Sequence, residues 1–267
     1  MPETRSLTIR DREVRVLEEG RSDVPVVFLA GIGGVPAWTP FLEALAKNRR
    51  VIVPSLPGFP GATEFRHLDS LYDWVVHTLE TLELLDEPTF DLIGSSVGGA
   101  LASEIASLVE TQVRRLVLIA PFGVFLEDDP AADIWAQVPG PKSIPNLVCS
   151  HPERWDAIWE MPADGDEIEW SLLQTRSMEA AARFLFPFGN TGVTSRLHRI
   201  HNSTLLVRGA EDQVLPSAYN AVFAHGIEGP VRTIEIEDAG HLPEIDNPEM
   251  LVREINAFLL DQENLSS

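Results

Sequence analysis

The chain has 267 residues, 44% of them apolar, enough to bury a sizeable core as one folded unit. Its 41 acidic residues against 20 basic ones give a formal charge of −21, which repels phosphate backbones and anionic lipid and sets nucleic acid aside as a partner. No run of about eighteen apolar residues offers a membrane span, and the opening MPETRSLTIRDREVR is charged rather than apolar, so we expect a soluble, cytoplasmic protein.

Residues 5–19 alternate apolar and polar, which predicts an antiparallel hairpin with one solvated face. The pattern then changes. Residues 24–30 (VPVVFLA), 51–53 (VIV), 90–93 (FDLI), 116–120 (LVLIA) and 205–207 (LLV) are short, mostly apolar runs, as in strands covered on both faces. Between them, residues 70–85 place Leu71, Val75, Leu79 and Leu82 about one turn apart behind a capping Ser70, and residues 100–109 read as another helix. Near the end, residues 234–238 form a further strand, and Asn247-Pro248 opens a last helix with Leu251, Ile255, Phe258 and Leu259 on one stripe. Strands alternating with helices predict a mostly parallel sheet with helices on both faces. One interval breaks that rhythm. About eighty residues, 122–202, separate two strands where compact domains use about two to six. This insert carries Trp135, Trp155, Trp159, Trp170, Phe184, Phe186 and Phe188, with helical patterns at 151–160 and 168–187. Its aromatics either line a pocket over the sheet edge or form the insert's own small core, and the two readings are compatible.

The stretch DLIGSSVGGA at 91–100 admits three readings. A phosphate-binding loop needs lysine followed by serine or threonine after its last glycine, and here Gly99 precedes Ala100 and Leu101. The dinucleotide fingerprint fails at residues 31–36 (GIGGVP), where proline replaces the third glycine and no acidic residue ends the next strand. What remains is G-x-S-x-G, filled by Gly94, Ser96 and Gly98, between a strand and a helix. A serine forced into so sharp a turn needs small neighbours two positions away. The same turn aims the Val97 N–H at the point above the helix N-terminus where the serine oxygen stands. Ser95 reads as a supporting neighbour.

A serine nucleophile requires a base and a group to orient it. Residues 205–216 (LLVRGAEDQVLP) end a buried strand on Glu211-Asp212, and residues 234–244 (IEIEDAGHLPE) end another in a Gly240-His241 loop. Asp212 is the favoured orienting acid, with Glu211, Asp128 and Asp129 as alternatives. His198 and His201 are three apart but no carboxylate or cysteine pattern completes a metal site around them, and the single Cys149 reads as a packing residue.

With the order Ser96, Asp212, His241, the sequence resembles the α/β-hydrolase fold family over nearly its whole length. The resemblance implies a mostly parallel eight-stranded sheet with helices on both faces. It also implies a core domain of residues 1–121 and 203–267 and a helical lid of residues 122–202. It identifies the three residues as a catalytic triad and the Ile32 N–H as the second oxyanion donor beside that of Val97. The loop Gly31-Ile32-Gly33-Gly34 departs from the family where Ala30 stands in place of a common histidine. An aspartate at the elbow would imply dehalogenase or epoxide hydrolase chemistry, and Ser96 argues against both. Gly31, Gly33, Trp38, Trp135, Trp159 and Phe184 are the candidate substrate-binding residues. The expected reaction is hydrolysis of a small-molecule carboxylic ester without metal or cofactor, with an apolar acyl or alcohol group under the lid. Two alternatives stand beside it. One is hydrolysis of a carbon–carbon bond in a ring-cleavage dienoate, a branch that residues 178–184 (MEAAARF) resemble, whereas His241-Leu242-Pro243 looks more like esterases. The other is a low-turnover ligand receptor on the same fold; lactonase or cofactor-free peroxidase-type activity also stays open. Nothing in the sequence decides between monomer and homodimer.

Overall fold

The computed structural model describes residues 2–62, 64–109, 112–136 and 143–261. Eight strands form one sheet: β1 (Glu3–Ile9), β2 (Arg12–Glu19), β3 (Val26–Leu29), β4 (Val51–Pro54), β5 (Phe90–Ser95), β6 (Val113–Ile119), β7 (Ser203–Gly209) and β8 (Val231–Ile236). Their spatial order is β1-β2-β4-β3-β5-β6-β7-β8. The opening hairpin and its join to β4 are antiparallel, and every other pair is parallel. β5 lies between β3 and β6, so its C-terminal end opens at the middle of the sheet edge.

The continuous apolar runs follow from burial on both faces, with period two deciding which residue meets which layer. Leu29, Leu92, Leu118 and Leu206 join one core, while Phe28, Ile93, Val117 and Leu205 join the other. The first core lies against α2 (Leu71–Leu84) and α3 (Ser96–Leu108), the second against α1 (Pro40–Ala46) and α9 (Pro248–Leu260). Each such leucine or isoleucine, fully buried, contributes about 1.5–3 kcal/mol relative to exposure.

The helix starts are chemical. Ser70 accepts from the Asp73 N–H while the Asp73 carboxylate accepts from the Ser70 N–H, closing a capping box on α2. Asn247 caps α9 with Pro248 in its first turn. Between β6 and β7 lie α4 (Ser143–Val148), α5 (Pro152–Ile158) and α6 (Glu167–Phe184). Asp166 caps α6 by accepting from the Ile168 and Glu169 N–H groups, both at 2.9 Å. The helix stops at Phe184 rather than running to residue 187 as the periodicity predicts, because Pro187 lacks the N–H that continuation needs. α7 (Ser217–Gly226) and the short α8 (Pro243–Asp246) complete the fold, and α1, α4, α7 and α8 are elements that periodicity alone did not predict.

Candidate active site

The turn from β5 into α3 is built by glycines. Ser96 holds a left-handed backbone, φ +51°, which costs a non-glycine residue free energy and persists only where the surroundings impose it. A methyl at Gly94 would lie 2.4 Å from the Gly98 carbonyl oxygen, and one at Gly98 would lie 2.1 Å from that of Leu29. Both contacts are closer than a methyl tolerates, so the spacing G-x-S-x-G follows from close backbone approach.

The structure brings Ser96, His241 and Asp212 together. The Ser96 Oγ lies 2.9 Å from Nε2 of His241, and Nδ1 of His241 lies 3.1 Å from Oδ2 of Asp212. Ser96 and His241 are fully buried. Asp212 sits just past β7, and its other oxygen accepts from the N–H groups of Val214 at 2.8 Å and Leu215 at 3.0 Å. Burial pushes the Asp212 carboxyl up, but the His241 imidazole and those two N–H groups outweigh it and hold the group below the ordinary carboxylate value. Glu211 turns away and accepts from the Ser150 hydroxyl at 2.8 Å, and Asp128 and Asp129 are exposed in the loop after β6.

The loop carrying His241 is fixed from three sides. The Asp246 carboxylate accepts from the Gly240 N–H at 2.8 Å and from the Ser150 and His151 N–H groups, each at 2.9 Å. The Leu242 N–H donates to the Val148 carbonyl at 3.1 Å. The Phe122 ring stands edge-on to the imidazole, with centroids 5.4 Å apart. A single buried carboxylate thus ties the histidine loop to the segment between α4 and α5.

Val97 is the second residue of α3, where backbone N–H groups lack intrahelical partners. Ile32 lies in a turn closed by the Gly34 N–H on the Gly31 carbonyl at 3.0 Å. Gly31 adjoins Ser95 and Glu244, and Gly33, at φ +84°, lies under Trp155 and Trp159, where a methyl would meet the Trp155 ring at 2.7 Å. Trp159 therefore presses on the proposed oxyanion loop. Trp38 is half-buried against the α1/α9 core and borders a cavity of about 530 Å³ together with Glu244 and Arg154. Trp135 lies on the wall of a separate cavity of about 410 Å³ that begins at Phe122. Phe184 packs on Trp74 of α2, with ring centroids 5.3 Å apart, and the two border a cavity of about 680 Å³. His198 and His201 are exposed near the turn before β7. Among the described residues, no group of three or more His, Cys, Asp or Glu side chains is set to hold a metal ion, and no helix is long and apolar enough to cross a membrane.

Sequence reasoning missed Phe122, Asp246 and Glu244. Glu244 is buried with an oxygen 2.5 Å from the Ser95 hydroxyl, and burial pushes its carboxyl up to about 7 against the opposing hydrogen bond from Ser95. Only its place three residues after His241 in the sequence hinted at it.

The family model described as "Alpha/beta hydrolase family" matches residues 26–254. A 2-hydroxy-6-oxo-2,4-heptadienoate hydrolase of Pseudomonas putida is 29% identical over 88% of each chain. A poly(3-hydroxyalkanoate) depolymerase of Ectopseudomonas oleovorans is 28% identical over 88% of this chain and 84% of its own. The structure of a meta-cleavage product hydrolase from Pseudomonas fluorescens superposes with a TM-score of 0.75 at 19% identity, covering 96% of this chain and 97% of that one. With an eight-stranded, mostly parallel sheet and a family match over most of its length, the chain belongs to the alpha/beta hydrolase family.

Proposed function

We propose that the protein is a serine hydrolase that cleaves carboxylic esters through an acyl-enzyme. The observation that carries this reading is the hydrogen-bonded series from Ser96 through His241 to Asp212, at 2.9 and 3.1 Å, on a strained turn between strand and helix. In this mechanism Nε2 of His241 takes the Ser96 proton as Oγ bonds to the ester carbon. The oxyanion is held by the N–H groups of Ile32 and Val97, and each such donor is worth about 3 kcal/mol. Collapse expels the alcohol, which receives the proton from His241. Water, deprotonated by the same imidazole, then releases the acid and restores Ser96. Asp212 fixes the tautomer with the proton on Nδ1 and stabilises the imidazolium.

Residues 122–202 act as a lid in this reading. Ser96 and His241 are fully buried, Phe122 stands against the imidazole, and Trp155 and Trp159 cover Gly33, so substrate enters when this cover moves. The 410 Å³ cavity beginning at Phe122 is the proposed site of the apolar part of the ester. Among the described residues it is bordered by Trp135, Leu185, Phe186 and Phe188 and by no lysine or arginine. Its acidic neighbour Asp133 is engaged by the N–H groups of Trp135 and Ala136. Such a lining favours an uncharged substrate over one carrying a carboxylate.

Hydrolysis of a carbon–carbon bond is the second reading, favoured by the similarity to the heptadienoate hydrolase. Initial rates on a p-nitrophenyl ester and on a 2-hydroxy-6-oxo-dienoate separate the two. We expect kcat/KM for the ester to exceed that for the dienoate, and the reverse order would replace the ester reading with the second.

A further inference from the structure

Behind the turn that carries Ser96 lies a buried carboxyl that the mechanism above does not use. Glu244, on α8, is 9% exposed, and its Oε1 lies 2.5 Å from the Ser95 hydroxyl, next to Ser96 in the chain. A methyl built on Gly31 would lie 3.0 Å from the same Ser95 oxygen and 3.3 Å from Oε1 of Glu244. Ser95 and Glu244 thus fill the space directly behind Gly31, one residue before the Ile32 N–H. Ala30 offers no polar side chain for this purpose. The second oxygen of Glu244 is buried with no hydrogen-bond partner among the described residues.

We propose that Glu244 is a positioning residue for the hydrolytic reaction, clamping the nucleophile turn through Ser95 and backing the oxyanion loop at Gly31. This rests on the ester-hydrolase reading given above. The clamp works uncharged. A carboxylate at this place would set a negative charge behind the loop that receives the developing oxyanion, opposing the reaction. The groups around Glu244 favour the neutral acid: Asp246 on its own helix is anionic and Cys149 brings no cation. Glu249 shares the neighbouring cavity, where Arg154 of α5 also lies, and the hydrogen bond from Ser95, a backbone N–H and the His241 imidazole pull the other way. Burial dominates, and the group ionises near pH 7.

One limb follows for kcat/KM, which falls on the alkaline side as Glu244 ionises. Glu244→Gln keeps a neutral hydrogen-bonding group and cannot ionise. Glu244→Leu fills the space without a polar atom and leaves Ser95 unpaired.

The test is the pH dependence of p-nitrophenyl acetate hydrolysis by the full chain and both variants, with far-UV circular dichroism and fluorophosphonate labelling of Ser96 in each. We expect Glu244→Leu to lower kcat roughly tenfold with KM changed less. We expect Glu244→Gln to lose less than Glu244→Leu and to replace the alkaline fall by a plateau. An alkaline limb that persists in Glu244→Gln overturns the proposal, as does a folded Glu244→Leu with unchanged kcat. Wild-type protein whose Ser96 takes no label overturns the underlying reading instead, and the two failures are distinguished by that label.

Discussion

Gly98 offers a quantitative test of how the fold sets the chemistry. A methyl at this position would stand 2.1 Å from the Leu29 carbonyl oxygen and 2.5 Å from that of Ala30, whereas real methyls stay beyond 3.0 Å. To accept alanine, α3 and the end of β3 must separate by the missing 0.9 Å at the closer contact. Val97 precedes Gly98, and Ile32 lies two residues beyond Ala30, so that separation spreads the two proposed oxyanion donors. Misplacement on the order of 1 Å costs about 10²-fold in rate. Stability responds less clearly, because overpacking costs about 1–3 kcal/mol while alanine recovers up to about 1 kcal/mol of helix propensity over glycine. Rate is therefore the sharper readout. Gly98→Ala should lower kcat for p-nitrophenyl acetate about a hundredfold while thermal unfolding falls by only a few degrees. A variant with kcat within twofold of wild type would refute the claim that this contact sets the donor geometry.

Asp212→Asn presents an amide where His241 Nδ1–H needs an acceptor, which favours the wrong tautomer, and kcat should fall by about 10⁴ with the fold retained, as read by stopped-flow kinetics and circular dichroism. Because the Asp212 carboxyl is held below its unfolded value, its stabilisation is present above that value and lost as pH falls through the lower folded one. The difference in unfolding free energy between wild type and Asp212→Asn should therefore shrink below about pH 4, and urea titrations at several pH values measure it. Asp246→Ala removes the acceptor of three N–H groups and should cost about 3 kcal/mol in urea unfolding, together with lower turnover from a loosened His241 loop. Burial pushes the Cys149 thiol far up, so a thiol reagent at neutral pH should label it only in denaturant, as mass spectrometry would show.

Much of this was legible in the sequence, for reasons that differ by element. Strands buried on both faces advertise themselves as unbroken apolar runs, which is why residues 90–93 and 116–120 led directly to β5 and β6. The turn at Ser96 was legible because steric crowding leaves glycine no substitute at residues 94 and 98. Asp212 stayed one acid among several on sequence alone. What singles it out is a pair of N–H groups on Val214 and Leu215, a relation of backbone direction that no spacing records. Glu244 and Asp246 were missed for a similar reason. The spacing of two acids two positions apart carries no sign of burial, and only the packing of α8 against Ser95 and the residues after α4 makes them buried partners. Phe184 shows the same dependence on packing, since its ring meets Trp74 of α2 on the border of a cavity of about 680 Å³, a partnership that the aromatic pattern of the insert does not specify.

The central claim is that Ser96 is a nucleophile activated by His241. Incubation with a fluorophosphonate followed by peptide mass mapping tests it most directly, paired with steady-state turnover of an ester. The account predicts a stoichiometric adduct on Ser96, at least a thousandfold slower labelling in His241→Ala, and continuing turnover by the unlabelled enzyme. An adduct elsewhere, or labelling of Ser96 that proceeds as fast without the imidazole, would contradict it.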